Sequence, residues 1–153
     1  MKTHLKIPLM KFPNRAKGLN TKSLKMKTFL LILLCILAVT AGLSGLLLIF
    51  NPDGSVLKLP WDLLDNTPFK SYRDPGIILA FIVGGVNLIA VFYNLQKHPA
   101  RYNWAIAGGI VVCGWITGQI LFIQTLHWLH FVYLIIGILI ILIAYQLKGK
   151  WAV

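Results

Sequence analysis

Two histidines near the carboxyl end of the sequence are the side chains best placed to bind a metal. His127 and His130 are three residues apart, so on a helix they share a face. Imidazole binds haem iron, copper and zinc, but no carboxylate or thiolate in the apolar segments completes a ligand set. We therefore predict no cofactor and keep a haem or metal site at this pair as the alternative. Without a metal, we expect these histidines to hydrogen-bond either Gln119 or the short hairpin predicted just before them, at residues 124–125.

Asn87 and Trp115 are the deepest polar residues of two long apolar segments. Each lies eleven residues after the segment start, about 16 Å of helical rise and near the middle of a bilayer. An amide in hydrocarbon needs a partner, and an indole N–H can donate. We predict that Asn87 faces the bundle interior and meets Trp115 or a backbone carbonyl. With Gln119 and His130, placed nearer the outer surface, they form a candidate buried polar pocket; plain helix packing is the simpler interpretation.

Several catalytic chemistries lack their residues. The sequence has no Glu, and its four Asp residues all lie between positions 53 and 74. Ion-coupled transport typically uses carboxylates inside the membrane, and the apolar segments contain none. Cys35 and Cys113 are not in a CxxC motif, no Ser stands in G-x-S-x-G, and the paired glycines lie inside apolar segments. We therefore expect a protein that is not an enzyme.

The apolar segments themselves predict the architecture. Hydrophobic residues make up 58% of the 153-residue chain, and the mean hydropathy is +0.76, which is too apolar for an ordinary soluble domain. About 20 apolar residues cross a bilayer as a helix. We predict an all-α membrane protein, an up-down bundle of four transmembrane helices with one structured outer loop at 51–75. The predicted helices are 28–50, 76–95, 104–123 and 126–147.

Basic residues cluster before the first helix and set the orientation. Of the fifteen Lys and Arg residues, eight precede residue 28, three lie in the first loop, two in the second, none in the third and two at the carboxyl end. The positive-inside rule then places both termini in the cytoplasm. We read residues 1–27 as a mobile tail held against anionic lipid. The net charge of +11 is thus attributed to lipid contact, and no nucleic-acid partner is expected.

Small residues at four-residue spacing mark possible helix contacts. Lipid provides no hydrophobic drive between helices, so close backbone approach supplies the packing. The predicted function of these pairs is packing within one bundle, and a homodimer seam is the alternative. The pairs are Ala41 and Gly45, Ala80 and Gly84, and Gly114 and Gly118.

A series of short motifs runs from residue 52 to about residue 144. They are Pro52-Asp53-Gly54, Leu59-Pro60, Thr67-Pro68-Phe69, Tyr72, Pro75-Gly76, Gly84-Gly85, Asn87, Pro99, Gly114-Trp115-Ile116 and Gln119. In the order and spacing of these motifs the chain resembles a widespread group of small four-helix bacterial membrane proteins that have no assigned activity. The resemblance implies the fold and an outer loop packed on the bundle, and it implies no catalytic residues.

These observations predict a small multi-pass protein of the bacterial inner membrane. Its leading function is that of an accessory subunit or a module that binds lipid or a small molecule. Its partners are the bilayer and either another membrane protein or further copies of itself. The alternatives are a redox protein that binds haem or metal at His127 and His130, and an oligomeric channel or transporter.

Overall fold

The computed structural model describes residues 15–65, 67–123 and 127–149, which form four long helices. Helix α1 spans Arg15–Phe50, α2 spans Arg73–Leu95, α3 spans Arg101–Ile123 and α4 spans Trp128–Gly149. Each contains a stretch long and apolar enough to cross a membrane. Helix α1 packs on α2, α2 on α3, α3 on α4, and α4 returns to α1. The predicted all-α four-helix bundle is confirmed.

Helix α1 is longer than the sequence analysis predicted. It begins at Arg15, not at residue 28, so residues 15–27 continue the membrane helix. The reason is local, since no proline stands between Pro13 and Pro52 and the basic segment is rich in Lys, Leu and Met, which favour helix. Basic character therefore did not mark the helix boundary. Residues 1–14 of the predicted tail lie outside the described residues.

The other helix boundaries differ from the prediction by two or three residues. Helices α2 and α3 begin three residues earlier, and α4 begins two residues later. Tyr72 is the N-cap residue of α2, and Asp74 lies in its first turn. Pro75 is tolerated there because the first N–H groups of a helix have no intrahelical partner. The predicted hairpin at residues 124–125 lies outside the described part of the chain.

Small residues bring α1 and α2 into backbone contact. Gly45 faces the backbone of Ala80. A Cβ added at Gly84 would lie 3.0 Å from the backbone nitrogen of Gly42, and one at Gly76 would lie 2.9 Å from the carbonyl oxygen of Gly45. No larger side chain fits at these positions without separating the helices. This is the close approach that packs helices in lipid, and it uses the predicted pairs on α1 and α2 inside one molecule.

A π-helical segment keeps these small residues in line. Within α2, residues Ile78–Gly84 wind as a π-helix between two α-helical parts, Arg73–Ile77 and Gly85–Leu95. In an α-helix, residues four apart drift by about 40° around the axis with each step. The wider π turn offsets that drift, so Gly76, Ala80 and Gly84 all remain against α1. The apolar pattern predicted a regular α-helix here, and the π-helical segment leaves no signal in it.

The loop after α1, residues 51–72, is built around one tyrosine. Gly54 has a φ of +72° and leaves no room for a Cβ, which would lie 2.8 Å from the Tyr72 ring. The Tyr72 hydroxyl donates to the Pro60 carbonyl, and its backbone N–H donates to the Pro52 carbonyl at 3.0 Å. Burial, and then the Asp62 carboxylate, raise the pKa of the Tyr72 phenol. The predicted structured loop is therefore a compact cap on α1 and α2.

The burial of α4 is concentrated toward its carboxyl end. The buried residues of α4 are Gly137, Ile140, Ala144 and Leu147, and the described residues 127–136 include no buried side chain. On α1 the most buried side chains lie between residues 30 and 37, in the first half of the apolar segment 28–50. The bundle is consequently looser where α3 ends and α4 begins, and three of the four predicted pocket residues lie in that looser half. The fully buried large residues include Leu30, Leu34, Leu37, Ile140 and Leu147.

Candidate functional site

Asn87 is the one fully buried polar side chain of the described residues outside the helix ends, with 0% exposure. Its amide nitrogen donates to the Val83 carbonyl at 2.8 Å within α2. Its carbonyl oxygen, Oδ1, has no hydrogen-bond partner in the described structure. The amide lies directly against Gly108 of α3, where an added Cβ would be 2.6 Å from Oδ1. Asn87 thus faces the interior and meets a backbone carbonyl, as one branch of the prediction held.

The other branch, a pairing of Asn87 with Trp115, is not seen. Gly108 precedes Trp115 by seven residues, about 10 Å of helical rise. Ala80 and Gly84 face α1, whereas Asn87 faces α3. The π-helical turn between them changes the angle that a regular helix would give. Trp115 instead lies half-buried against the hydrophobic core.

Trp115, Gln119 and His130 occupy the looser half of the bundle at related depths. The thiol of Cys113 lies 4.0 Å from the Leu134 carbonyl, and Gly109 lies opposite Gly137, which fixes the register of α3 against α4. Extending that register places His130 within about 2 Å of the depth of Trp115 and about 4 Å from that of Gln119. All three are half-buried. The predicted pocket therefore divides into this group and a separate, deeper Asn87.

The two histidines of α4 are engaged with the backbone. His127 is the residue before α4, and its Nδ1 accepts the Leu129 N–H at 3.4 Å. His130 Nδ1 accepts the backbone N–H of His127 at 3.1 Å, and the His130 N–H donates to the His127 carbonyl at 3.0 Å. The pair thus caps the first turn of the helix reciprocally. Both rings therefore accept N–H groups of this first turn. The predicted bonds to the hairpin fall on residues outside the described ones, and a bond to Gln119 is not among the described bonds.

No group of three or more His, Cys, Asp or Glu side chains within the described ranges could hold a metal ion. The alternative of haem or metal at His127 and His130 would have to use the Nε2 atoms, since both Nδ1 atoms already accept backbone N–H groups. Two imidazole nitrogens on one helix turn would fill only two coordination positions, and other ligands would have to supply the rest.

Two features where α2 ends and α3 begins were not predicted from the sequence, namely the burial of Arg101 with Tyr102 and the stacking of His98 on Tyr93. Arg101, at the start of α3, is only 7% exposed, and its guanidinium lies 4.7 Å from the centre of the Tyr102 ring. The Tyr102 hydroxyl is buried and has no hydrogen-bond partner in the described structure. Nearby, the His98 imidazole stacks on Tyr93 at 4.5 Å. The interfacial aromatic residues were visible in the sequence, but their burial depends on how the helices meet.

The fold and the buried positions define an all-α protein with four helices able to span a membrane, and hence a multi-pass membrane protein. Comparison with protein-family models, with curated proteins and with solved structures found no match to this chain. Its function must therefore be argued from its own residues.

Proposed function

We propose that this chain is a non-enzymatic accessory subunit of the bacterial inner membrane that holds another membrane protein through one face of α3. That face, called here the open face of α3, consists of Ile110, Gly114, Thr117 and Leu121. All four residues are exposed, and they follow one another at spacings of four, three and four. This spacing places them in one stripe along a helix, as at a helix–helix seam.

One contrast carries the proposal. The small residues of α1 and α2 are occupied, since Gly45 and Gly84 touch the backbone of the neighbouring helix. Gly114 and Gly118 form the same four-residue pair, yet no described atom other than the adjoining backbone lies within 4 Å of a Cβ placed at either. Small residues on a helix leave a shallow groove that lets another helix approach closely. At Gly114 and Gly118 this groove has no helix packed in it within the described structure. A second transmembrane helix is the element that fits such a groove.

The proposed orientation places both termini in the cytoplasm and the 51–72 loop outside. Support comes from the distribution of Lys and Arg between alternate loops. The test is labelling in intact cells with a thiol reagent that does not cross the membrane. Cysteine introduced at the exposed Val56 should react, and cysteine at the exposed Gln96 should react only after permeabilisation. The reverse pattern would refute the orientation.

Photo-crosslinking in the native membrane tests the association. A photoreactive amino acid at Thr117, on the open face, should give a discrete protein adduct identifiable by mass spectrometry. The matched control is Phe92, which is 55% exposed on α2 and should give lipid adducts only. Gly114→Ile together with Gly118→Ile should abolish the adduct at Thr117 by filling the groove.

The identity of the adduct distinguishes the possibilities. A different membrane protein supports an accessory subunit, while a second copy of this chain would replace that proposal with a homo-oligomer. Lipid adducts alone at Thr117, as at Phe92, would refute both. Each of these results is decided in the same experiment.

A further inference from the structure

The start of α4 is capped by two imidazoles that act as hydrogen-bond acceptors. The first N–H groups of a helix have no intrahelical partner and are usually satisfied by side-chain oxygens. Here His127 Nδ1 accepts the Leu129 N–H at 3.4 Å, and His130 Nδ1 accepts the His127 N–H at 3.1 Å. The arrangement is that of a capping box, in which the cap residue and the third helical residue each accept one N–H. Nitrogen atoms replace the oxygens at both positions.

The hydrogen bonds assign the protonation state of both rings. A backbone N–H can only donate, so each Nδ1 must be without a proton, and the single proton of each neutral ring must be on Nε2. Any further proton can bind only at Nδ1, the atom that accepts the backbone N–H. Protonation and capping therefore exclude each other at both histidines.

We propose that His127 and His130 form a pH-sensitive cap that holds the first turn of α4 when neutral and releases it in acid. Because the capped conformation binds protons less well than the released one, acidification favours release. The new positive charge would also lie at a helix N-terminus, where the helix dipole disfavours cations. Histidine is the side chain whose charge ordinarily changes between about pH 5 and about pH 8, so the transition falls within a physiological range.

In the described residues, the helices that pack on α4 carry their charged side chains toward the other end of the bundle, at Arg101 of α3 and up to Lys27 of α1. Helix α4 packs mainly on α3 and α1. On α3 the titratable side chain facing α4 in the described residues is Cys113, beside the Leu134 carbonyl. From residue 28 to the end of α1, Cys35 is the only titratable residue, and on α4 itself Tyr133 is the nearest. The looser packing of residues 127–136 leaves the first turn free to unwind without disturbing the core.

The proposed switch does not depend on the accessory-subunit proposal. The side of the membrane that the cap faces does depend on the proposed orientation, which would expose the cap to the pH outside the cell. Its test uses the full chain in lipid nanodiscs, where both faces are accessible, so a failure of the switch is separate from a failure of the orientation or of the association through α3.

Backbone amide exchange measured by NMR reports the cap directly. After correction for the intrinsic pH dependence of exchange, the protection of the His127 and Leu129 amides should fall about fivefold, the usual effect of losing a cap, between about pH 8 and about pH 5. The double variant His127→Asn with His130→Gln keeps two acceptors that do not titrate. In this variant, protection of the same amides should be equal at the two pH values. His98→Gln, in the turn before α3, is the matched control, and in it the protection should still fall on acidification.

Three results would overturn the proposal. These are equal protection in the natural protein at both pH values, an equal fall in the double variant, and an imidazole ¹⁵N spectrum at about pH 8 that shows a proton on Nδ1 of either histidine. The last measurement needs only the unaltered chain, so it decides the matter even when the double variant does not fold.

Discussion

Gly108→Ala tests whether Asn87 sets the distance between α2 and α3. The substitution adds a single carbon, and that carbon would lie 2.6 Å from Asn87 Oδ1 and 3.1 Å from Cγ. Ordinary van der Waals contact begins near 3.4 Å. The Asn87 amide, which is fully buried and bonded to the Val83 carbonyl at 2.8 Å, would have to move by about 0.8 Å.

The expected cost follows from the lack of free space. Overpacking a well-packed interior by a methyl group costs about 1–3 kcal/mol. Replacing Gly by Ala within a helix recovers up to about 1 kcal/mol through helix propensity. We therefore expect Gly108→Ala to lower the free energy of unfolding by up to about 2 kcal/mol. In an Asn87→Ala background the obstructing amide is gone, and the same substitution should become neutral or stabilising.

Equilibrium unfolding in mixed detergent micelles, followed by helical circular dichroism, measures these changes. The matched control is Gly114→Ala, the same substitution on the same helix at a position where no described atom beyond the local backbone lies within 4 Å. It should be neutral or stabilising by up to about 1 kcal/mol. If Gly108→Ala and Gly114→Ala have the same effect, or if Asn87→Ala does not relieve the loss, the packing of Asn87 on Gly108 is wrong.

Two further predictions concern α1 and the loop after it. Gly45→Ala should lower the free energy of unfolding by about 1–3 kcal/mol, because its added Cβ meets the Ala80 backbone. Gly42→Ala should not, because the space around its added Cβ is open. Equal effects of the two substitutions in the same unfolding assay would contradict this packing. Tyr72→Phe should cost about 1 kcal/mol by removing the bond to Pro60. Because burial raises the Tyr72 pKa, its stabilisation persists below the ordinary tyrosine pKa of about 10 and is lost as pH rises through the folded value. The rate at which a protease cleaves the loop should therefore rise less with alkaline pH in Tyr72→Phe than in the natural protein. An equal rise in both would contradict the role given to the Tyr72 hydroxyl.

The bundle itself was predictable because lipid leaves few alternatives. A long apolar segment can satisfy its backbone in hydrocarbon only as a helix or in a closed barrel, so four such segments predict four helices before any contact between them is known. Pro52 ends α1, and the turn at Gly54 follows from the same local chemistry. That Asn87 faces inward was also predictable, since an exposed amide in lipid would lack partners.

The partners of those side chains were decided by the tertiary structure. A helical wheel fixes where a side chain points around its own axis, but not the rotation or axial shift of the neighbouring helix. For this reason Asn87 meets Gly108 and not Trp115. The π-helical Ile78–Gly84 adds a rotation that no regular period contains. The same freedom determines that Gly45 is enclosed while Gly114, with the same spacing in the sequence, faces outward.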